Sequence, residues 1–392
     1  MPKTRRQMKL LYFIPALYNS GGMERVLSEK MNYLVCKYNY DVTVITTEQM
    51  GRPVFFALDK QVQQIHLDIN FDADFNRPLI EKYFRYQQKF KLYRKHIERL
   101  IAELQPDVCI SLCGKEIEFF YKIKCSAVKI AEVHFAMDFR SQFIARKNNV
   151  LFNLLGKIRT RQLIKQTKTL DKVIVLTPHD KKQWDKTHNN VEVISNPNPL
   201  KIKSPNYSIE SQTVVSVGRL DYQKGYDMLV DIWKIVAQKY PDWELNIFGS
   251  GEWDGLLKEK IQENDLEKQF LLRGVSTGIE REYLNSSFYV MSSRYEGLPM
   301  VLIEAMACGL PIISFDCKHG PRDVIKDNEN GFLVPTFDIE LMAEKIIFLI
   351  ENENIRKQMS SASIEQAKKY DLAVIMQKWD MLFNHLIKFK TK

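Results

Sequence analysis

Residues 196–218 read NPNPLKIKSPNYSIESQTVVSVG, and this stretch divides the sequence into two halves of the same kind. Its first part is rich in Pro, Asn and Ser, which interrupt regular structure. Its last part is a β-branched run from Thr213 that ends in glycine, a pattern typical of a buried strand followed by a turn. The stretch therefore predicts a linker near residues 195–205, after which a second domain begins with its own first strand.

Short β-branched or aromatic runs alternate with longer helical patterns on both sides of this linker. Strands separated by helices form parallel sheets, so the sequence predicts an α/β protein with two Rossmann-like, doubly wound domains. We place the first domain at residues 1–197 and the second at 198–372, and we expect a last helix, about 373–392, to pack back on the first domain. The predicted strands are Leu10–Ile14, Val42–Thr46, Val108–Leu112, Ala127–Glu132, Val173–Leu176, Thr213–Val217, Trp243–Phe248, Phe270–Leu272, Phe288–Met291 and Pro311–Ser314.

The composition excludes several classes of protein. The chain has 392 residues, 45% hydrophobic and 27% charged, which is not the composition of a disordered, collagen-like or disulfide-scaffold protein. No apolar run approaches the about 18 residues of a transmembrane helix, so we do not expect an integral membrane protein. Residues 1–199 hold 33 Lys and Arg against 20 Asp and Glu, whereas residues 200–392 hold 24 against 28. The first half therefore carries +13 and the second −4, which together give the net charge of +9, and the excess in the first half favours an anionic partner there.

The cysteines and the first residues indicate a cytoplasmic protein. None of the six cysteines forms a C-x-x-C pair, and most lie in apolar stretches, as expected in a reducing compartment. A basic start followed by the apolar run Leu10–Tyr18 resembles an export signal, but Pro15 interrupts the run and no A-x-A-like site follows.

The stretch EGLPMVLIEAM at residues 296–306 carries the densest functional signal. Pro299 suits the first turn of a helix, and the N–H groups and dipole of a helix N-terminus attract phosphate. Glu296 before this helix and Glu304 within it can accept hydrogen bonds from two hydroxylated groups, such as a sugar and a ribose. A capped amphipathic helix with solvated glutamates is the plain alternative.

A second cluster, GRLDYQKG at residues 218–225, follows a predicted strand. It places Arg219 and Lys224 at the edge where open α/β sheets bind ligands. Two cations there can neutralise a diphosphate leaving group as a metal ion does elsewhere. The alternative is that both are ordinary surface charges.

His134 ends a predicted strand of the first domain, where an imidazole can contact a substrate hydroxyl or serve a structural role. Asp72 and Asp74 match the D-x-D pattern of metal-dependent sugar transferases, but they lie in a polar segment and not at a strand end, so we assign no metal site. The glycine turns at 20–22 and 249–251 lack the spacing of the dinucleotide fingerprint, which argues against a nicotinamide dehydrogenase.

Taken together, these motifs resemble glycosyltransferase family 4, the retaining enzymes of the GT-B fold, in which two Rossmann-like domains face a cleft. The resemblance covers nearly the whole chain, with its motifs in the expected order. They are GGMER at 21–25, His134, ISNP at 194–197, GRL at 218–220 with KG at 224–225, FGSG at 248–251, Glu296 and Glu304, and GFLV at 331–334.

The resemblance implies a role for each matching position. Glu296 would contact the hydroxyls of the donor sugar and Glu304 the ribose, with Arg219 and Lys224 on the diphosphate and His134 near the reacting carbon. The other implied donor-binding positions are Gly21, Gly22, Gly218, Gly249, Gly274, Val275, Gly297, Leu298, Met300 and Val301. It also implies transfer with retention of anomeric configuration, without a metal or any other cofactor.

The Glu-Gly-Leu-Pro form of the first motif is similar to that of bacterial galactosyl- and N-acetylgalactosaminyltransferases of capsule, lipopolysaccharide and lipid-linked oligosaccharide pathways. This favours a UDP-sugar donor over GDP-mannose and a lipid-linked or glycan acceptor in surface polysaccharide biosynthesis. Two alternatives stay open: a nucleotide-sugar epimerase or hydrolase on the same fold, and a non-catalytic nucleotide-sugar-binding scaffold.

Two basic segments, residues 82–99 and 140–172, account for much of the positive charge and are interleaved with aromatic and aliphatic residues. Such segments suit an anionic membrane surface, although a solvated helical face over an ordinary core has the same pattern. No nucleic-acid recognition module accompanies them. We therefore expect a peripheral protein at the inner face of the cytoplasmic membrane that meets a polyprenyl-linked acceptor.

Overall fold

The computed structural model describes residues 7–74, 77–135, 137, 150–200, 202 and 208–390. Its contacts divide the chain into two compact units. The first unit comprises the residues up to Ser195 together with the segment from Ile375, and the second runs from Asn196 to Val374. Residues 140–149 of the second basic segment, and residues 201 and 203–205 of the predicted linker, lie outside the described residues. No helix of the described part is long and apolar enough to cross a membrane.

Strands and helices alternate along both units. The elements up to Ser195 are β1 (Lys9–Ile14), α1 (Gly22–Tyr38), β2 (Asp41–Thr46), β3 (Gln63–His66), α2 (Leu79–Leu104), β4 (Val108–Ser111), α3 (Ile117–Phe120), β5 (Val128–Val133), α4 (Val150–Thr167), β6 (Lys172–Val175), α5 (Pro178–Trp184) and β7 (Val191–Val193). Those that follow are β8 (Thr213–Val217), α6 (Tyr226–Lys239), β9 (Glu244–Phe248), α7 (Asp254–Glu263), β10 (Phe270–Gly274), α8 (Ile279–Leu284), β11 (Phe288–Met291), α9 (Met300–Ala307), β12 (Ile312–Phe315), α10 (Pro321–Val324), β13 (Gly331–Val334), α11 (Ile339–Glu351), α12 (Glu353–Ala367) and α13 (Leu372–Lys390).

The first unit is built on a seven-stranded sheet in the order β3-β2-β1-β4-β5-β6-β7. Every pair is parallel, and Leu10 of β1 lies opposite Val42 on one side and Val108 on the other. The strand order reverses between β1 and β4, which is the point where open α/β sheets bind ligands. Gly21 and Gly22 follow β1, and His134 follows β5, two strands along the sheet.

The second unit repeats this plan with six parallel strands in the order β10-β9-β8-β11-β12-β13. Its reversal lies between β8 and β11. Because all the strands run the same way, the loops that follow β8, β9 and β11 meet at one edge of the sheet. These loops carry Arg219, Lys224 and Glu296, three of the four residues to which the sequence assigns catalysis.

The helix α13 completes the first unit, although it lies far from it in sequence. Its apolar residues recur at helical spacing, and the side chains of Trp379 and Phe383 are buried in that unit. At its surface, Asp380 accepts a hydrogen bond from the Tyr40 hydroxyl, and Lys390 Nζ lies 2.7 Å from Asp171 Oδ2. The first unit is therefore made from two separated segments of the chain.

The predicted fold class, two parallel α/β sheets, is confirmed. All ten predicted strands are present, with ends shifted by two residues at most. Three strands were not predicted, namely β3, β7 and β13. The strand β3 has the sequence QQIH and is largely exposed at the sheet edge, so it carries no apolar run that marks a strand.

Candidate active site

In the second unit, Lys224 and Glu296 form an ion pair. Lys224 Nζ donates to Glu296 Oε1 at 2.7 Å, and the hydroxyl of Ser293 donates to the same oxygen at 2.7 Å. The side chains of Lys224 and Glu296 are only 14% and 7% exposed. The loops after β8 and β11 thus bring together two residues that lie 72 positions apart in the sequence.

The loop that carries Lys224 also presents Arg219. The Arg219 guanidinium is exposed, lies 3.2 Å from Asp221 Oδ2, and donates to Gln223 Oε1 at 3.0 Å. The backbone N–H of Lys224 donates to Asp221 Oδ1 at 3.2 Å. Asp221 therefore holds the loop in a turn that presents one exposed and one nearly buried cation.

Glycines allow the loop after β9 to pack directly on the loop after β8. The Gly218 N–H donates to Phe248 O at 2.9 Å, and the Leu220 N–H donates to Ser250 O at 3.0 Å. A Cβ atom on Gly249, whose φ is +149°, would lie 1.9 Å from the carbonyl oxygen of Gly218. The backbones of these two loops are in direct contact, so no side chain fits at residue 249.

The predicted helix that begins after Pro299 is confirmed as α9, and it begins next to the ion pair in sequence. The N–H of Leu302 donates to Pro299 O at 3.0 Å, while the first helical residues, Met300 and Val301, lie at its positive end. Gly320 approaches the turn before the helix closely, because a Cβ there would lie 2.1 Å from the Gly297 carbonyl oxygen. Leu298 packs on the apolar core of the unit.

Glu304 lies within α9 and is buried. Its Oε2 accepts a hydrogen bond from the Tyr283 hydroxyl at 3.1 Å. Burial, and next the nearby Glu304 charge, raise the pKa of Tyr283, so the phenol keeps its proton as a donor. Neither Glu296 nor Glu304 is the solvated glutamate that the plain alternative requires.

Gly274 is the last residue of β10, the next strand outward, and Val275 follows it. Gly274 has a φ of +73°, and its carbonyl oxygen accepts from the Gly249 N–H at 2.8 Å. The Val275 side chain is exposed. These residues thus lie beside the glycine-rich loops, with an apolar side chain open to solvent.

In the first unit, His134 contacts a buried carboxylate that sequence reasoning did not assign. Its Nε2 lies 3.1 Å from Glu132 Oε1. Gly21 is the N-cap of α1, where a Cβ would lie 2.3 Å from Glu24 Oε2, whereas a Cβ on Gly22 would meet nothing within 4 Å.

The structure also shows an ion pair beside these loops that the sequence motifs did not reveal. Both terminal nitrogens of Arg294 bind the carboxylate of Asp227, at 2.9 and 2.6 Å. Arg294 Nη1 also donates to Tyr222 O at 2.8 Å. Arg294 therefore ties the loop after β11 to the loop that bears Arg219 and Lys224. In the sequence, the one indication that Arg294 belongs to the site is its position two residues before Glu296.

The D-x-D string has a structural role at its second residue. Asp74 is buried, and its two oxygens lie 2.5 Å from Lys89 Nζ and 3.1 Å from Arg77 Nε. Asp72 is exposed, 3.8 Å from Lys115 Nζ. The Asp74 carboxylate is thus occupied by cations of its own chain.

Comparison with known proteins agrees with this architecture. The chain matches a solved structure of TarM from S. aureus, a variant in complex with UDP, with a TM-score of 0.76 and 18% identity, over 96% of this chain and all of that one. This likeness identifies the fold as GT-B, as the resemblance implied. The family model described as glycosyl transferases group 1 matches residues 200–366.

Two relatives match over almost their whole length. One is an uncharacterised glycosyltransferase of Haemophilus influenzae, 33% identical over 376 residues, 95% of this chain and 98% of the relative. The other is the amylovoran biosynthesis glycosyltransferase AmsD of Erwinia amylovora, 31% identical over 96% of this chain and 99% of the relative. The chain therefore belongs to the group 1 glycosyltransferase family.

A third relative has a more specific name. It is the α-1,4-N-acetyl-D-galactosaminyltransferase of Campylobacter jejuni that acts on a GalNAc-GalNAc-diNAcBac-PP-undecaprenol, 26% identical over 95% of this chain and 97% of the relative. That protein extends a glycan on a polyprenyl diphosphate.

Proposed function

We propose that this glycosyltransferase moves a hexose or N-acetylhexosamine from a UDP-sugar to a lipid-linked or glycan acceptor in surface polysaccharide biosynthesis, with retention of anomeric configuration. The nearly buried Lys224–Glu296 pair, placed before the N-terminus of α9, carries the proposal. Glu296 accepts hydrogen bonds from donor-sugar hydroxyls and Glu304 from the ribose, while His134 contacts the sugar near the reacting carbon.

The same site supports departure of a nucleoside diphosphate without a metal ion. Lys224 and Arg219 supply two positive charges, and the N-terminus of α9 adds free N–H groups and a positive dipole. Charges fixed before the reaction stabilise the developing negative charge of the leaving group. Gly274 and Val275 offer a backbone turn and an apolar surface for the base.

The relatives support the acceptor and donor classes. AmsD is named for amylovoran biosynthesis, and the C. jejuni relative transfers N-acetylgalactosamine to an undecaprenyl-diphosphate-linked glycan. The TarM complex contains UDP. We therefore favour a UDP-linked galactose-type sugar, either galactose or N-acetylgalactosamine.

The experiment is a donor screen with radiolabelled UDP-galactose, UDP-N-acetylgalactosamine, UDP-glucose, UDP-N-acetylglucosamine and GDP-mannose, each with bacterial membrane extract and with EDTA. We expect label from a UDP-sugar in the lipid fraction, undiminished by EDTA, and an α-linkage from an α-linked donor by NMR. Isomerised or hydrolysed donor without transfer would favour the epimerase or hydrolase, and binding without turnover would favour the scaffold.

We also propose that the protein binds the inner face of the membrane through the N-terminal half of α2. Its side chains Ile80, Tyr83 and Phe84 are 75%, 60% and 62% exposed, although they are large and apolar. Several basic residues of α2 have acidic partners, since Arg85 pairs with Glu81 and Arg94 with Glu98. The exposed apolar side chains are therefore stronger support for membrane binding than the net charge.

Replacing Ile80, Tyr83 and Phe84 together with serine should weaken binding to vesicles containing anionic phospholipid by about tenfold to a hundredfold. Full burial of one large apolar side chain contributes roughly 1.5–3 kcal/mol, and a helix lying in the membrane interface buries each of these side chains only in part. Cosedimentation measures this. Met381→Ser on α13, which removes an equally exposed apolar side chain, is the control and should leave binding unchanged. If the triple variant bound the vesicles as tightly as the wild type does, the assignment of membrane binding to α2 would be contradicted.

A further inference from the structure

The first unit buries two charged side chains for which the proposed function gives no role, Lys30 and Glu132. Glu132 lies in β5, whose sequence VKIAEV is buried at every position in the middle of a parallel sheet. Lys30 lies on α1, and the two side chains are only 1% and 2% exposed. Charges at such positions are strongly unfavourable unless they are paired.

The two oxygens of Glu132 differ, because Lys30 and His134 both contact the same one. Lys30 Nζ donates to Glu132 Oε1 at 2.6 Å, and His134 Nε2 lies 3.1 Å from the same atom. Lys30 Nζ also lies 3.9 Å from the centre of the Trp379 ring, so the helix α13 covers the ammonium group with an aromatic face. Three successive contacts thus connect a buried aromatic ring to a predicted site residue. We call this set of residues the row, and its members are Trp379, Lys30, Glu132 and His134.

The charges of the row are fixed by its surroundings. Burial raises the pKa of Glu132, but Lys30 and then His134 outweigh burial and hold that pKa at about 2. Burial lowers the pKa of Lys30, and the Glu132 charge opposes this. Burial, and next the Glu132 charge, raise the pKa of Tyr12, which therefore stays a neutral phenol. Glu132 is thus a carboxylate over the whole physiological pH range.

We propose that Glu132 is a positioning residue for His134, and that Lys30 keeps it in the charged form needed for that role. The contact of 3.1 Å between Nε2 and Oε1 lacks the geometry of a hydrogen bond, so it is the negative charge of Glu132 that favours the ring tautomer with its proton on Nε2. The lone pair of Nδ1 is then the atom that His134 offers to a substrate hydroxyl. This inference rests on the proposed function in one respect, namely that His134 contacts the substrate.

The first test is Glu132→Gln in the full-length protein, with histidines labelled with nitrogen-15. The amide keeps the size of the carboxylate but also offers a donor, so it no longer selects one tautomer. At pH 8 the wild-type His134 spectrum should show a proton on Nε2, whereas the variant should show the Nδ1 tautomer or a mixture. The turnover number for transfer should fall about 10- to 100-fold, with the melting temperature showing that the variant folds.

Glu116→Gln is the matched control. Glu116 is another buried carboxylate of the first unit, and its Oε1 accepts from Ser111 Oγ at 2.6 Å and from the Gly114 N–H at 2.9 Å. A glutamine oxygen can accept the same two bonds. The Tyr93 hydroxyl donates to the other carboxylate oxygen at 3.3 Å, and the glutamine NH2 group can donate to that hydroxyl instead, so this variant should keep the wild-type His134 spectrum and the wild-type rate.

The second test, Lys30→Met, makes the role of the lysine visible as a pH dependence. Among the residues that the structure describes, the charged or titratable groups that face Glu132 are Lys30, His134 and Tyr12. Without Lys30, burial dominates and the pKa of Glu132 rises, so its carboxylate is lost as the pH falls. The ratio of the variant rate to the wild-type rate should therefore increase with pH between about pH 5.5 and 9, since Glu132 is ionised throughout this range in the wild type.

The outcomes separate this inference from the proposed function. An unchanged His134 tautomer in Glu132→Gln, or an altered tautomer with an unchanged transfer rate, overturns the role of Glu132. A rate ratio for Lys30→Met that does not vary with pH overturns the role of Lys30. A wild-type protein without transfer activity contradicts the proposed function alone, because the tautomer is measured without turnover and its change would still support Glu132.

Discussion

Replacing Lys224 with methionine is expected to lower kcat/KM for sugar transfer by about a thousandfold or more. The lysine is the less exposed of the two cations on the loop after β8, and its Nζ lies 2.7 Å from Glu296. Under the proposed function, removing it takes away a fixed positive charge from the leaving diphosphate, and such a loss from an oxyanion site lowers kcat by about 10²- to 10³-fold. It also takes away the cationic partner of the nearly buried Glu296 carboxylate. Initial rates with the best donor of the screen measure the effect.

A double variant separates catalysis from stability. Breaking one partner of a nearly buried pair lowers the free energy of unfolding by about 3 kcal/mol, whereas replacing both can be almost neutral. Lys224→Met combined with Glu296→Gln should therefore regain much of the lost stability and none of the activity. Lys260→Met, which breaks a more exposed pair with Asp231, is the control and should keep full activity. Recovery of transfer in the double variant would show that the pair is only structural.

Gly249→Ala is expected to lower the melting temperature by about 6–12 °C and to abolish donor binding. The added Cβ would lie 1.9 Å from the carbonyl oxygen and 2.8 Å from the carbonyl carbon of Gly218. Both atoms are backbone, so the contact is relieved only if the loop after β8 moves, at roughly 3 kcal/mol. Differential scanning calorimetry and titration with UDP measure the two effects.

Gly255→Ala provides the comparison for this experiment. Gly255 lies in the first turn of α7, where a Cβ would meet nothing within 4 Å. Alanine is the better helix former, so this variant should melt at the wild-type temperature or about 2 °C above it. If both alanine variants melted alike, the close approach of the two glycine-rich loops would be refuted.

The fold could be predicted from the sequence because most strands of a parallel sheet are buried on both faces. The run KLLYFI is buried except at its first residue and TVVSV is buried at its three central residues, and each stands out as a short apolar stretch between helical patterns. The strands β3 and β7 are at the edges of their sheet, where part of each strand meets solvent and the apolar run disappears.

A residue of the candidate site could be predicted only where a charged side chain stands directly after a recognisable strand in the sequence. Lys224 and Glu296 each lie in a motif after a strand, but nothing in the sequence says that Ser293 donates to Glu296. Lys30 lies in an ordinary helical pattern, and its partners are 102 and 349 residues away. One signal was present: a glutamate within a wholly buried strand requires a partner, and Glu132 is such a residue.

The division of the first unit into two segments fixes the order in which the protein can be finished during synthesis. At about 5–20 residues per second, the ribosome takes roughly 10 to 40 s to add residues 196–374 after Ser195. During that delay the nascent first unit has no Trp379 over Lys30, whereas the second unit receives its whole chain without interruption. The second unit is therefore complete first, and the first unit gains the aromatic cover over Lys30 only after α13 has been made.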